Sequence, residues 1–442
     1  MHNVTKPRRR SRNPWQWVPS LFFIQGLPYA VVIELSVIMY KKLGLSNLQI
    51  TLFTSWLYLP WVIKPLWSPV VDLLWTKRSW IVSLQMIIGI LFASLALLAP
   101  LPSFLQYSLA VFWLVAFCSA TQDIAIDGFY MLELSEKSQA AFIGLRTGFY
   151  RAAVILGLGA LVIMAGYLEP LVGSPGAWAA VFGVLAAISM LSFVYHGAVL
   201  PKPVTDAAAE KISRTFARNF GHSIGLFFKK KDILCSIAFL LLYRLDKAQM
   251  ARLITPFLLD SRSRGGLGLT TGEVGVAYGT VGVLALTAGA LVGGYAISRK
   301  GLRYWLWISL AAVHVPDVIY VYLAHVQSAS LLLVNAAVAL EQFGYGFGFA
   351  AYALFMIMIS RGSHKTTHFG ICTGIMALGM MMPGMFSGAI QQQLGYENFF
   401  LYAMLCGIPS LAIATMVDIP ADFGVRVEAP VEAFEPLASE LA

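Results

Sequence analysis

Charge is scarce in this sequence: acidic and basic residues together make up 12% of its 442 residues, where a soluble domain carries about 25%. That shortage, beside 58% hydrophobic residues and a mean hydropathy of +0.72, excludes an ordinary soluble globular chain. Cysteine is scarcer still. Cys118, Cys235, Cys372 and Cys406 stand singly inside apolar runs, which excludes a disulfide framework and leaves them as small apolar residues. No zinc signature, hydrolase triad or phosphate loop occurs, so no metal or cofactor is expected. Gly344-Tyr-Gly-Phe-Gly348 imitates a nucleotide loop, but no strand precedes it, and close helix packing explains it better.

What the chain does have is apolar runs of about 20 residues along nearly its whole length, the mark of a polytopic helical membrane protein. Spans fall at roughly 15–40, 47–70, 80–100, 105–131, 139–167, 176–199, 233–259, 271–296, 302–325, 330–359, 366–392 and 396–417. The expected fold is therefore an all-α membrane protein of twelve transmembrane helices. The first run is too long for a signal peptide, holds Glu34 and lacks a clear cleavage site. Lysine and arginine concentrate in alternate loops, which places both termini in the cytoplasm and attributes the net charge of +9 to those loops rather than to nucleic acid. Residues 1–14 form a basic cytoplasmic arm, 15–199 a first bundle, 200–232 a basic cytoplasmic linker, 233–417 a second bundle, and 418–442 a disordered acidic cytoplasmic tail.

The two bundles repeat one another. Leu43-Gly-Leu-Ser-Asn-Leu-Gln49 and Leu267-Gly-Leu-Thr-Thr-Gly-Glu273 share a pattern, each ending in a capping box, Ser46 with Gln49 and Thr270 with Glu273. At a nearly constant offset, Asp72 with Lys77 and Arg78 matches a loop holding Arg299, Lys300 and Arg303. Two parallel six-helix repeats joined by a long linker resemble the major facilitator layout. In that layout Asp72, Lys77, Arg78, Arg299 and Arg303 serve as a structural, gating latch between helix ends.

Chemistry collects in Cys118-Ser-Ala-Thr-Gln-Asp-Ile-Ala-Ile-Asp-Gly-Phe-Tyr130. Asp123 and Asp127 lie one turn apart on one helix face, beside Gln122. Burying such a group in lipid costs roughly 2.5 kcal/mol or more, so the pair must face protein or a water-filled cavity. Two neighbouring carboxylates resist double ionisation, so one of them can carry a proton. The next turn lies near Ser135–Lys137, and equal distances from it predict an Asp123–Arg151 pair with Asp127 at the depth of Arg146 and Thr147. A static ion pair orienting two helices is the competing account. Lys64 either snorkels to the interface or offers a cation to a substrate or to the carboxylates. Gln25-Gly-Leu-Pro28 should kink the first helix, and Glu34 is either a vestibule carboxylate or interfacial. In the second bundle, Arg244, Asp246 and Lys247 give one helix a charged cluster, and Glu341 and Gln342 occupy the place of Gln122 and Asp123. Tyr243, Arg244, Asp246, Glu341 and Gln342 join Gln25, Glu34, Lys64, Gln122, Tyr150 and Arg151 as candidate substrate-binding residues. His314 and Asp317 are expected to be peripheral, His196 and His325 interfacial.

Lys64-x-Leu-Trp-Ser-Pro-x-x-Asp72, then Phe117-Cys-Ser-Ala-Thr-Gln-Asp-Ile-x-x-Asp127, then Tyr150-Arg151 resemble the AmpG-type permeases and their wider group, which includes the acetyl-CoA transporters. The resemblance continues through Leu242–Asp246, Gly272–Val276 and Glu341. It implies proton-coupled import of peptidoglycan-derived muropeptides across a Gram-negative inner membrane, with Asp123 and Asp127 as coupling carboxylates and Gln122, Lys64 and Arg151 beside them. Some members carry two further spans, for which this chain has no room, and their seventh helix is less charged. Those departures keep a cell-wall amino sugar, a siderophore or an acyl-CoA-like anion open as substrates. Partners would be a small-molecule solute, protons and the bilayer, with the chain a monomer. Two other classes stand beside this one: a membrane-embedded enzyme built on His314 and Asp317, and a transport-dead sensor or scaffold.

Overall fold

The two capping boxes form as expected and open equivalent helices. Ser46 Oγ accepts from Gln49 N while Gln49 Oε1 accepts from Ser46 N, and Thr270 with Glu273 repeats the arrangement. The computed structural model describes residues 13–202, 214–362 and 364–425. Among them the chain is helical throughout, with no strand. Seven helical runs are long and apolar enough to cross a membrane: Pro14–Lys42, Lys77–Leu98, Phe104–Glu133, Gly144–Val199, Thr271–Val326, Leu331–Ile359 and Lys365–Ala414. Three of these run for 50 to 56 residues, and each contains one glycine in the left-handed region: Gly173 (φ 74°), Gly301 (φ 82°) and Gly395 (φ 73°). Only glycine takes that conformation without a steric penalty, and the helix is interrupted there. All three fall in the gaps expected between spans.

Helix Asn47–Trp56 continues after a short turn as Leu59–Leu74, and Ile233–Leu242 as Leu245–Leu259. The first helix is irregular one turn later than the Gly26–Pro28 pair suggests. Pro28 stays inside Val18–Ala30, and a π-helical turn follows at Val31–Leu35. Pro28 has no N–H for the Ile24 carbonyl, and the buried Gln122 amide donates to that oxygen instead, at 3.3 Å.

The Gly344–Gly348 segment packs helices, not phosphates. A Cβ on Gly346 would lie 2.0 Å from Leu286 O, and one on Gly344 2.1 Å from Ala312 O, so the Leu331–Ile359 helix sits backbone to backbone on its neighbours. Even Gly346→Ala should push these helices apart, at about 1–3 kcal/mol or more. The expected result is loss of monodisperse protein on size exclusion, while alanine at Gly183, which has open space around it, leaves the profile unchanged.

The first residues after the second bundle dock on it: Ile419 and Phe423 are buried, Leu302 N donates to Phe423 O at 2.8 Å, and the Arg361 guanidinium lies 4.4 Å above the Phe423 ring. Acidic composition suggested disorder, but two apolar side chains four residues apart suffice to dock the segment. His196, in the last turn of its helix, is fully buried between Gln85 Oε1 (3.0 Å) and Ser20 Oγ (2.9 Å). His325 is exposed, with Nδ1 3.0 Å from Glu397 Oε1. The basic arm through residue 12, the linker at 203–213 and the tail beyond 425 lie outside the described residues.

Candidate functional site

The two halves close on each other at the end that carries Lys41. Gly159 meets Gly279 and Thr280, and Gly166 meets Gly272; a Cβ on Gly279 would come within 1.9 Å of Leu158 O. A second seam brings Gly388 against Asn47 and Gly384 against Ser55. Polar links tie the same end. Lys41 Nζ lies 2.6 Å from Asp260 Oδ2, Tyr396 OH donates to the same oxygen at 2.7 Å, and Asn47 Nδ2 donates to both Tyr396 OH (2.7 Å) and Gln391 Oε1 (2.8 Å). Glu169 accepts from Thr271 Oγ1 (2.7 Å) and pairs with Lys42 at 3.2 Å. Toward the Lys77 end the Leu59–Leu74 helix still meets the second half, with Gly374 against Val62 and Gly370 against Pro65. Gly144 and Gly148 have nothing within 4 Å of a built Cβ, and a cavity of about 210 Å³ opens there, lined by Gln25, Arg146, Thr147, Tyr150 and Arg151.

The two carboxylates sit beside this cavity on the Phe104–Glu133 helix. Asp127 is held by Arg146 at 2.8 Å, one of the two residues that counting placed at its depth. The Arg146 guanidinium also lies 4.5 Å above the Phe22 ring. The expected Asp123–Arg151 pair does not form. Asp123 Oδ2 accepts from Trp61 Nε1 at 3.1 Å and faces Lys64 Nζ at 3.6 Å, so Lys64 turns inward to the carboxylate rather than snorkelling. Depth counting fixes height along a helix but not the side it presents, and a cation from the Leu59–Leu74 helix takes the place foreseen for Arg151. Arg151 has no carboxylate within ion-pair distance among the described residues and lines the cavity with Tyr150. Tyr150 also lies against Gly26, whose missing side chain lets the two backbones approach: a Cβ there would be 2.8 Å from Tyr150 O.

Between the halves, Arg252 is a site residue that sequence reasoning missed. Buried, it donates to Ile33 O in the π-turn at 2.8 Å and lies 4.8 Å above the Tyr58 ring. The signal was available: an arginine in mid-span must find partners within the protein. Glu34, half-buried on that turn, stands within electrostatic reach of Arg252 and of Tyr278, which also senses Glu341 from the second half.

The second half holds a denser cluster. Lys247, buried, bonds Asp317 and lies 2.7 Å from Glu341 Oε1; Gln342 donates to Glu341 Oε2 at 2.9 Å. His314 Nδ1 is 2.5 Å from Asp246 Oδ2. The expectation that His314 and Asp317 are peripheral therefore fails, because the seventh-span charges need partners and find them there. Arg244 stacks over Tyr345 and Phe349 at 5.2 and 5.3 Å. Tyr243 is buried and spends its hydroxyl on Gly348 O at 2.9 Å, so it braces the helices.

Of the latch residues, the Asp72 side chain lies outside the described residues. Lys77 is buried with its stem against Gly128, and Arg78 donates to Gly197 O (2.5 Å) and Leu200 O (3.3 Å), joining helix ends within the first half. Arg299 bonds Tyr295 OH at 2.6 Å on its own helix, and Arg303 is exposed.

Comparison with known proteins places this geometry. The profile described as Major Facilitator Superfamily matches residues 20–371. The anhydromuropeptide permease of Escherichia coli (strain K12) is 25% identical over 400 residues, covering 89% of this chain and 77% of that one. A putative transporter AmpG 4 of Rickettsia conorii is 23% identical over 407 residues, covering 89% and 94%. Among solved structures, a D-xylose–proton symporter superposes with a TM-score of 0.73 at 9% identity over 93% of this chain and 99% of that one. A nucleoside transporter, NupG, gives 0.67 at 14% identity over 92% and 99%.

Proposed function

The chain belongs to the Major Facilitator Superfamily, and from that premise we propose that it imports peptidoglycan-derived muropeptides or cell-wall amino sugars, driven by protons. One observation carries this reading. Two carboxylates on one helix face are each held by a separate cation, and Arg146, which holds Asp127, belongs to a cavity lined by amide, hydroxyl and guanidinium groups. Asp123, paired at 3.6 Å and half-buried, is the residue we assign to proton coupling, with Asp127 as its partner. Tyr150, Gln25 and Gln122 suit sugar hydroxyls and N-acetyl groups; Arg151 and Lys64 suit the peptide carboxylates.

Each of the three long runs is read as a hairpin of two spans, and 47–74 and 233–259 as broken spans, which makes twelve. With the positively charged loops cytoplasmic, both termini lie inside, in the inner membrane, and the sealed Lys41 end faces outward. This is then an inward-open arrangement of a monomer. The cavity of about 210 Å³ is lined by first-half residues alone and is smaller than the 300–1,000 Å³ of ordinary ligand pockets, so a disaccharide-peptide would extend beyond it toward the second half. Right-side-out vesicles with an imposed pH gradient, acid outside, should accumulate labelled anhydro-muropeptide. Equal accumulation with and without the gradient would reject proton coupling.

The unpaired Arg151 supports a second reading, in which the solute is another anion such as a siderophore or an acyl-CoA-like compound. A thermal-shift screen of the three chemical classes separates the readings, since a ligand that binds the folded form raises its melting temperature.

A further inference from the structure

The Asp246–His314 pair in the second half sits apart from the cavity and has no part in the reading above. Its hydrogen bonds can be counted. Ser410 Oγ lies 2.6 Å from Gly407 O, so its single hydrogen goes to that carbonyl. His314 Nε2 lies 2.8 Å from the same Oγ and must therefore be the donor. His314 Nδ1 faces Asp246 Oδ2 at 2.5 Å, and a hydrogen has to lie between them. If it is on Nδ1, the ring is an imidazolium beside a carboxylate; if it is on Oδ2, a carboxylic acid faces a neutral ring. Either way the pair holds one proton more than a carboxylate and a neutral imidazole together. Asp246 Oδ1 is occupied by Lys247 N at 2.7 Å.

The surrounding charge favours that extra proton. Lys247 Nζ is shared between Asp317 and Glu341, and Asp317 Oδ2 is buried with no hydrogen-bond partner among the described residues. Without the proton, three buried carboxylates would face one ammonium, with Arg244 turned to Tyr345 and Phe349. The other titratable groups that face the cluster are Tyr243, with its ring 6.4 Å from that of His314, Tyr320, 3.4 Å from Glu341 Oε2, Tyr345, whose ring centre lies 5.7 Å from Lys247 Nζ, and Tyr278 on the Glu341 side. A hard metal cation fits poorly, because it takes about six oxygen ligands and most of these carboxylate oxygens already accept from nitrogen. We propose that Asp246 and His314 form a proton-binding site in the second half, separate from Asp123 and Asp127, that is loaded at neutral pH.

Asp246→Asn tests this with little loss of packing. The amide can donate to Nδ1, so the neutral Nε2–H ring keeps both of its bonds and no proton is required. Above about pH 6.5 a histidine of the unfolded chain is neutral, so a native state that still binds the proton loses stability as pH rises. The melting temperature of the detergent-solubilised wild type should then fall relative to D246N as pH is raised from 6.5 to 9. Below that range the wild type is level with respect to this pair, while D246N, whose native ring stays neutral as the unfolded-chain histidine protonates, loses stability on acidification. The corresponding folding constant drops up to tenfold per pH unit. Parallel curves from pH 5 to 9 overturn the proposal. Should D246N fail to fold, nitrogen NMR of ¹⁵N-histidine-labelled wild type at pH 7.5 decides, the His314 signal being assigned by its absence in H314N. An imidazolium or a neutral Nε2–H ring is expected, and a neutral Nδ1–H ring overturns the site. Neither measurement involves a substrate, so failure here leaves the muropeptide reading standing, and the reverse.

Discussion

Asp123→Asn should reduce proton-driven accumulation of substrate to unity while leaving exchange intact. The asparagine oxygen can still accept from Trp61 Nε1, now 3.1 Å from Asp123 Oδ2, so the helix keeps its anchor. What it cannot do is ionise, and Lys64, 3.6 Å away, loses its counter-charge. One pH unit is worth about 1.4 kcal/mol per proton, or about tenfold in accumulation. Wild-type vesicles with one unit of acid outside should therefore approach a tenfold gradient, and D123N vesicles should equilibrate without one. Counterflow of labelled against unlabelled substrate needs no net proton movement and should persist. Asp127→Asn should do less, because both Asp127 and Arg146 are about a third exposed and their attraction is screened. Wild-type accumulation by D123N would move coupling elsewhere, and the Asp246–His314 pair would be the first place to look.

The architecture was legible because its determinants are local. A serine or threonine followed three residues later by Gln49 or Glu273 caps a helix whatever surrounds it, and Gly173, Gly301 and Gly395 interrupt long helical runs through their own backbone preference. The Asp127–Arg146 pair was within reach of counting because one short turn joins its two helices. Contacts between helices distant in sequence were not. Nothing near Asp123 says that Lys64 rather than Arg151 will face it, and nothing near Asp246 names His314, 68 residues on. Sequence shows only that a buried charge needs a partner; the packing of the bundles chooses which. Arg252 went unassigned for that reason, and the partners of Asp317 and His196 went unforeseen.

Asp260→Asn should open the end that the structure holds shut. Asp260 Oδ2 is the hub there, taking Lys41 Nζ at 2.6 Å from the first half and Tyr396 OH at 2.7 Å from the second. Through Lys41 and Tyr396 it reaches Asn47, which also bonds Gln391. Lys41 and Asp260 are 9% and 7% exposed, so the pair is desolvated enough for its loss to be felt. Removing one member of a buried pair costs about 3–5 kcal/mol. That cost falls on the closed form alone if the halves part here in the outward-open state. Even 3 kcal/mol would shift the balance between the two forms by about a hundredfold. Spin labels on the exposed Leu48 and Ser263, in a background without the four native cysteines, would read the change. The wild type should give one short distance and D260N a second, longer one that dominates. Lys41→Asp combined with Asp260→Lys should restore the short distance, because the swap preserves the attraction. An unchanged distribution in D260N would mean that the glycine seams, Gly159 on Gly279 and Gly388 on Asn47, hold this end closed by packing alone. The polar hub would then be a consequence of closure and not its cause.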